Sequence, residues 1–253
     1  MNAKLLAAAA FAFCALALPA RADDSQHFNQ TLKLPSGGTL RLRGFAGHMT
    51  ITGADTDQVS VDAVRHGSRE WLEQTKIEMY VQGSTVVVRD DQSTHSSSWF
   101  GWPWHSSIGE TDFEIRVPHK TNLDINTFSA PVSIDGVEGS YKLHGFSSRL
   151  TLRNAVGSVQ AHTFSGAVEI HEARWIDPQT IDVDTFSGSV QLRVPGDARG
   201  DVTFNSFSGR LDSVLPLIMH SSSRKAVKAE LGSGGSGSTL RVKTFSGSLH
   251  IDR

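Results

Sequence analysis

One phrase, T-F-S-G with small variations, is restated through this chain and constrains its fold more than any other feature. IDVDTFSGSVQL (181–192) returns as HTFSGAVEI, NSFSGRLDS and KTFSGSLHI. Aligned on the central ring, the copies fall at Phe45, Phe128, Phe146, Phe164, Phe186, Phe207 and Phe245, with spacings from Phe128 onward of 18, 18, 22, 21 and 38. Periods of about 20 to 50 residues mark repeat architectures, in which one unit cannot bury its apolar face alone and must stack on its neighbours.

Each unit has two halves of opposite parity. Five and three residues before the ring stand apolar columns, such as Tyr141, Val159 and Ile181, then Leu143, Ala161 and Val183. Four and six residues after it stand two more, such as Leu150, Val168 and Val190, then Leu152, Ile170 and Leu192; Ser213 alone breaks the last column. Alternation of this kind belongs to strands with one buried face. Side chains alternate strictly along a strand, so the change of parity demands a bend at T-F-S-G. Gly166, Gly188, Gly209 and Gly247 sit where such a corner needs a residue without Cβ. Ala130 and Ser148 hold that place in two copies, where either ordinary backbone angles or some strain is expected.

The expected fold is therefore all-β: a parallel β-solenoid, β-helix-like, of stacked strand–corner–strand rungs of ~20 residues, with a more irregular β part before it. Equivalent residues would stand ~4.8 Å apart. Phe128, Phe146, Phe164, Phe186, Phe207 and Phe245 would form a column; parity at a corner leaves its inward or outward direction open, and the repetition of the ring favours burial. Repetition also decides how the serines read. A catalytic serine occurs once per site, whereas Ser129, Ser147, Ser165, Ser187, Ser208 and Ser246 recur in nearly every unit. They read as corner hydrogen-bonders.

Residues 1–22 read as a secretory signal. Lys4 supplies the positive start, Leu5 to Leu18 is an apolar run short for a membrane span, and Ala20-Arg21-Ala22 is an A-x-A cleavage site. Phe13 before Cys14 argues against a lipoprotein, and with Cys14 removed the mature chain has no thiol for disulfides or zinc. Without Lys4 and Arg21 the 24 basic residues become 22 against 26 acidic ones, a net charge of −4. With no basic block, nucleic acid is not expected as a partner, since its binding starts with phosphate neutralisation. No second apolar segment of membrane length follows, so an exported protein of the periplasm or cell surface is expected. Residues 23–120 form the N-terminal β part, with a first rung (LRLRGFAGHMTI) and an aromatic loop; residues 121–253 form the repeat region, with an insertion at 213–238. QVSVDAV, KIEMYVQ, STVVVRD and FEIRVP read as strands, and SREWLEQ (68–74) as a short helix packing Trp71 and Leu72 across an open end.

The opening l-x-v-x-x-F-x-G-x-v-x-I pattern, the stretch VPHKTNLDINTFSAPVSIDGV (117–137) and the serial TFSG corners resemble the bacterial "putative adhesin" family of β-strand-repeat proteins, a domain of unknown function. The resemblance covers nearly all of the mature chain. It implies an all-β, β-helix-like fold in the cell envelope or outside it, and brings no binding residues with it. The aromatic insertion and the long insertion before the final unit depart from the pattern.

Function is sought where the repeat is broken. SSSWFGWPWHSS (96–107) gathers Trp99, Phe100, Trp102, Trp104 and His105, either as a plug on one end of the stack or as a contact patch for a protein, lipid headgroup or sugar. The polar column two residues before each ring holds Asn126, His144, His162, Asp184, Asn205 and Lys243. His144, His162 and Asp184 could share a metal or protons, but a solvated ladder is the plainer reading and no metal or other cofactor is expected. The 214–238 stretch reads as a strand, polar tip and returning strand, an insertion that loops absorb cheaply. Gly232, Gly234 and Gly237 match G-x-G-x-x-G, yet a strand follows where a dinucleotide site needs a helix. The reading that results is a non-enzymatic envelope scaffold, adhesin-like, presenting a surface to a protein or glycan. The alternative is a polysaccharide lyase or hydrolase on a β-helix, for which Asp182, Asp184, Lys142 and Arg241 could be cast, with Lys142 and Arg241 far apart in the stack.

Overall fold

The computed structural model describes residues 24–91, 109–223, 225–233 and 236–253. Residues 1–22 and the aromatic group Trp99, Phe100, Trp102, Trp104 and His105 lie outside the described residues.

The chain opens with β1 (Asp24–Lys33), β2 (Thr39–Gly44), β3 (Met49–Ala54) and β4 (Gln58–Gly67), then the helix α1 (Arg69–Gln74). After it come β5 (Lys76–Gln82), β6 (Thr85–Asp91) and β7 (Glu110–Pro118). The repeat begins with β8 (Asn122–Thr127), β9 (Val132–Asp135), β10 (Tyr141–Gly145) and β11 (Leu150–Ala155). It continues through β12 (Val159–Ser165), β13 (Val168–Glu172), β14 (Thr180–Ser187), β15 (Val190–Arg193), β16 (Gly200–Ser206) and β17 (Leu211–Ser213). A hairpin of β18 (Leu217–Ser222) and β19 (Ala226–Leu231) follows, and β20 (Thr239–Thr244) and β21 (Leu249–Asp252) end the chain.

Among the described residues these strands make two large, mostly parallel sheets. Sheet I runs β1-β4-β7-β3-β9-β11-β13-β15-β21-β17, and sheet II runs β18-β19-β16-β20-β14-β12-β10-β8-β2-β6-β5. The half of each unit before the ring enters sheet II and the half after it enters sheet I. Leu40, Leu123, Tyr141, Val159, Ile181, Leu240 and Val202 stand in register across sheet II. Met49, Val132, Leu150, Val168, Val190 and Leu249 do the same across sheet I. All of these side chains are buried between the sheets, so the period-two pattern of each half is the core pattern of its sheet.

The corners pack backbone against backbone. A Cβ added to Gly188 would overlap the Gly166 carbonyl oxygen, one on Gly247 the Gly188 carbonyl, and one on Gly209 the Gly247 carbonyl. Glycine is therefore required there by the closeness of the neighbouring unit. Ala130 and Ser148 adopt no positive φ; among the described non-glycine residues only Asn154 does. The serines contribute mainly through their backbone: Ser147 and Ser165 N–H groups donate to the Phe128 and Phe146 carbonyls at 2.8 Å. In two of the units the side chain before the ring braces the corner. Ala130 N–H donates to Thr127 Oγ1 at 3.1 Å, and Gly209 N–H to Ser206 Oγ at 2.7 Å. Thr185 Oγ1 is buried without a hydrogen-bond partner. Thr127→Val is thus expected to cost about 1–2 kcal/mol in a urea melt, whereas Thr185→Val should be neutral or mildly stabilising. Equal losses for the two would refute this account of the corner.

Chain order and stacking order part company at the C-terminus. The hairpin β18–β19 pairs antiparallel on β16, so Leu217–Ser222 and Ala226–Leu231 extend sheet II, with β18 as its edge strand, instead of hanging from the surface. One edge of β16 is then occupied, and β20 takes the other, between β16 and β14. The last unit lies inside the stack, and Arg241 stands three strands from Lys142, with Asp182 directly beside it. At the other end α1 joins β4 of sheet I to β5 of sheet II. Ser68 caps it by accepting the Trp71 N–H, and Trp71 is buried. The expected strands at 58–64, 76–82, 84–90 and 113–118 are all present, although β1, β4 and β7 pair antiparallel. Among the described residues no helix is long and apolar enough to cross a membrane.

Candidate functional site

The rings stack, and they do so on the outside. Phe45, Phe128, Phe146, Phe164, Phe186, Phe245 and Phe207 follow one another with centroids 4.8–5.1 Å apart and planes within 6° of parallel. Phe128, Phe146, Phe164, Phe186, Phe207 and Phe245 are each 45–54% exposed, so the direction that corner parity left open is outward, a half-exposed ladder in place of the burial that repetition favoured. The reason is parity. β12 and β14 run straight through the ring, to Ser165 and Ser187. The ring therefore shares the outward face with the polar residues two and four places before it, while the threonine beside it points inward. Thr127, Thr163, Thr185 and Thr244 are buried accordingly. The signal was present in the sequence, as polar residues at even offsets before each phenylalanine.

Between the ladder and the polar column runs an open groove of about 840 Å³, with a predominantly apolar lining and a floor that includes Thr127, Thr163, Thr185 and Thr244. The rings cover each other's faces, so they offer edges along the groove. Lys225 lies over the Phe207 ring at 4.7 Å and covers that end of the ladder.

On the polar side His144, His162 and Asp184 occupy consecutive strands in register, as the spacing required. Lys243, from the inserted β20, is the next neighbour of Asp184. The two imidazoles stack face to face, 5.2 Å between centroids and 15° from parallel, which leaves their nitrogens side by side instead of converging. Burial, with the second imidazole beside it, holds His144 below its ordinary pKa. Among the described residues no group of three or more His, Cys, Asp or Glu is placed to hold a metal ion. Two residues further from the ladder, Arg41, Asp124, Lys142, Gln160, Asp182, Arg241 and Thr203 make a second outward column. Burial acts to raise the Asp124 carboxyl, but hydrogen bonds from Arg41 at 2.9 Å and Arg43 at 3.1 Å outweigh it and hold it below its ordinary value. This face is a surface of alternating charge beside an apolar stripe.

The curated proteins contain no match to this chain. Solved structures similar to it include a "putative cell adhesion protein" from Clostridium sporogenes, with 12% identity, 90% of this chain and 99% of that one covered, and a TM-score of 0.49. A "putative adhesin" from Bacteroides fragilis has 10% identity, 89% and 97% coverage and a TM-score of 0.30. A "putative lipid binding protein" from Parabacteroides distasonis has 9% identity, 90% and 97% coverage and a TM-score of 0.37. Likenesses this distant say nothing of what the present chain binds. The family model described as Toastrack DUF4097 matches residues 121–252, which contain six of the seven stacked rings. On that match, and in keeping with the resemblance carried by the TFSG corners, the chain belongs to the Toastrack DUF4097 family.

Proposed function

We propose that this chain is an exported, non-enzymatic envelope protein whose units wind as a parallel β-solenoid and whose ladder face of sheet II is an adhesin-like contact surface for a protein partner. The observation that carries this is the ladder itself: six rings in the repeat region, each about half exposed, in one unbroken apolar stripe. Soluble proteins keep contiguous apolar patches small unless something covers them. A protein is favoured over a glycan because sugars stack on ring faces, and here neighbouring rings occupy those faces. In-register parallel pairing through both sheets supports the solenoid reading.

The triple replacement Phe146→Ser, Phe164→Ser, Phe186→Ser tests the surface. Purified protein should co-sediment with envelope fractions of its own cell, and the variant should lose at least ~10-fold of that binding while keeping a cooperative melt. Undiminished envelope binding together with unchanged self-association in a folded variant would end the reading. Cleavage of acidic or neutral polysaccharides by the pure protein would establish the lyase or hydrolase alternative in its place.

A further inference from the structure

We propose that the ladder face is covered by a second copy of this chain, in a two-fold dimer whose stacks run antiparallel. This rests on the reading of that face as a contact surface and names its occupant. Three observations support it: area, pitch and charge.

The area suits a dimer. Half-exposed phenylalanines along the ladder present ~600 Å² of ring surface per copy, if a whole side chain buries ~200 Å². Two copies meeting would cover ~1,200 Å² before the polar columns are added, which reaches the lower bound of specific interfaces. The pitch suits a copy as well. The rings make a straight stripe ~29 Å long with a step near 4.9 Å, and a second ladder matches that step along its whole length.

Charge selects the register. In sheet II, β12 is the middle strand, with five strands on each side among the described residues. A two-fold axis lying between the copies, parallel to the strands and over β12, keeps position along a strand and reverses strand order. β10 then faces the second copy's β14, and β8 faces its β20. In the column four places before the ring, Lys142 meets the second copy's Asp182, Asp124 meets its Arg241, and Gln160 meets itself. In the column two places before the ring, His144 meets Asp184, Asn126 meets Lys243, Arg43 meets Asn205, and His162 meets itself. No pair of like formal charges is opposed in either column. Every neighbouring register fails this condition. An axis over β10 sets Lys142 against itself, and one over β14 sets Asp182 against itself. An axis between β12 and β14 opposes Lys142 to Arg241, and one between β10 and β12 opposes Asp124 to Asp182. Like charges brought together across an interface are strongly disfavoured, so the centred register is selected.

Light scattering coupled to size exclusion on the exported protein, at micromolar concentration and ~150 mM salt, should give a dimer. Lys142→Asp alone and Asp182→Lys alone should each weaken it at least ~10-fold, and the double variant carrying both should restore it. Gln160→Cys, in a mature chain without other cysteines, should be joined copy to copy by a short bis-maleimide, whereas Glu169→Cys on sheet I should not. A monomer at every concentration, a double exchange that fails to restore association, or crosslinking equal at both positions would overturn the dimer. If the protein is monomeric but the ladder triple variant still loses envelope binding, the dimer falls and the contact surface stands. If the triple variant changes neither association nor binding, both fall.

Discussion

Gly188→Ala is expected to destabilise the protein by about 3 kcal/mol, a fall in Tm of roughly 10 °C for a chain of this size. The methyl group would overlap the Gly166 carbonyl oxygen of the adjacent unit. That obstacle is backbone held in two sheets, so no rotamer change can relieve it. The added Cβ must push two units apart at the corner, lengthening the hydrogen bonds on either side. Gly196→Ala is the comparison: its Cβ would meet only the guanidinium end of Arg253, which can swing away, and the cost should stay below about 1 kcal/mol. Thermal and urea melts of the two variants check the difference. Similar stabilities would mean that the corners are looser than this packing requires.

Glu172→Gln is expected to flatten the pH dependence of stability between pH 5 and pH 8. Glu172 ends β13 with its side chain buried, and neither carboxyl oxygen completes a hydrogen bond. Burial pushes the group up to about 8 from an ordinary 4.5, the Gly157 N–H offsetting part of the rise. Between those two values the folded chain holds a proton that the unfolded chain has released. Stability is therefore greatest below the unfolded value and falls as pH rises towards 8, by about 3 kcal/mol from this group. His144 and His171, both held below their ordinary values first by burial, act in the opposite sense: stability from them is gained as pH rises. The comparison of wild type with variant isolates the carboxyl. Unfolding free energies from urea titrations at pH 5, 6.5 and 8 should decline in the wild type relative to the variant. Parallel curves would show that Glu172 is ionised and solvated in the folded state. Tyr141 lies close enough that the Glu172 charge adds to the burial raising its phenol, and its hydroxyl donates to the Val137 carbonyl.

The legibility of the sequence differed between features for physical reasons. Column positions such as Tyr141, Val159 and Ile181 could be read because side-chain alternation is a local property of any strand. The corner could be read because a parity change at T-F-S-G has no other explanation. At the corner the serines hydrogen-bond through their backbone, as Ser147 N–H does to the Phe128 carbonyl, while the bracing by the Thr127 hydroxyl depends on a side-chain direction that the repeat does not display. His144, His162 and Asp184 were placed together correctly, but face-to-face stacking of the rings depends on side-chain torsions that spacing does not encode. Ring direction stays open when parity is judged at a corner, and repetition inclines it to burial, whereas the even offsets already put each phenylalanine with the polar residues.

Sequence by itself determined the all-β class, the strand–corner–strand form of each unit and the register of the repeats, because these follow from periodicity along a single strand. Tertiary structure alone decided that β20 enters between β14 and β16, that β18 and β19 extend sheet II beyond β16, and that Glu172 is left buried with neither carboxyl oxygen completing a hydrogen bond. Those depend on which strand edge is still open, and which space already filled, when the chain returns. Pairing between distant segments is a competition for edges, and no local pattern records its outcome.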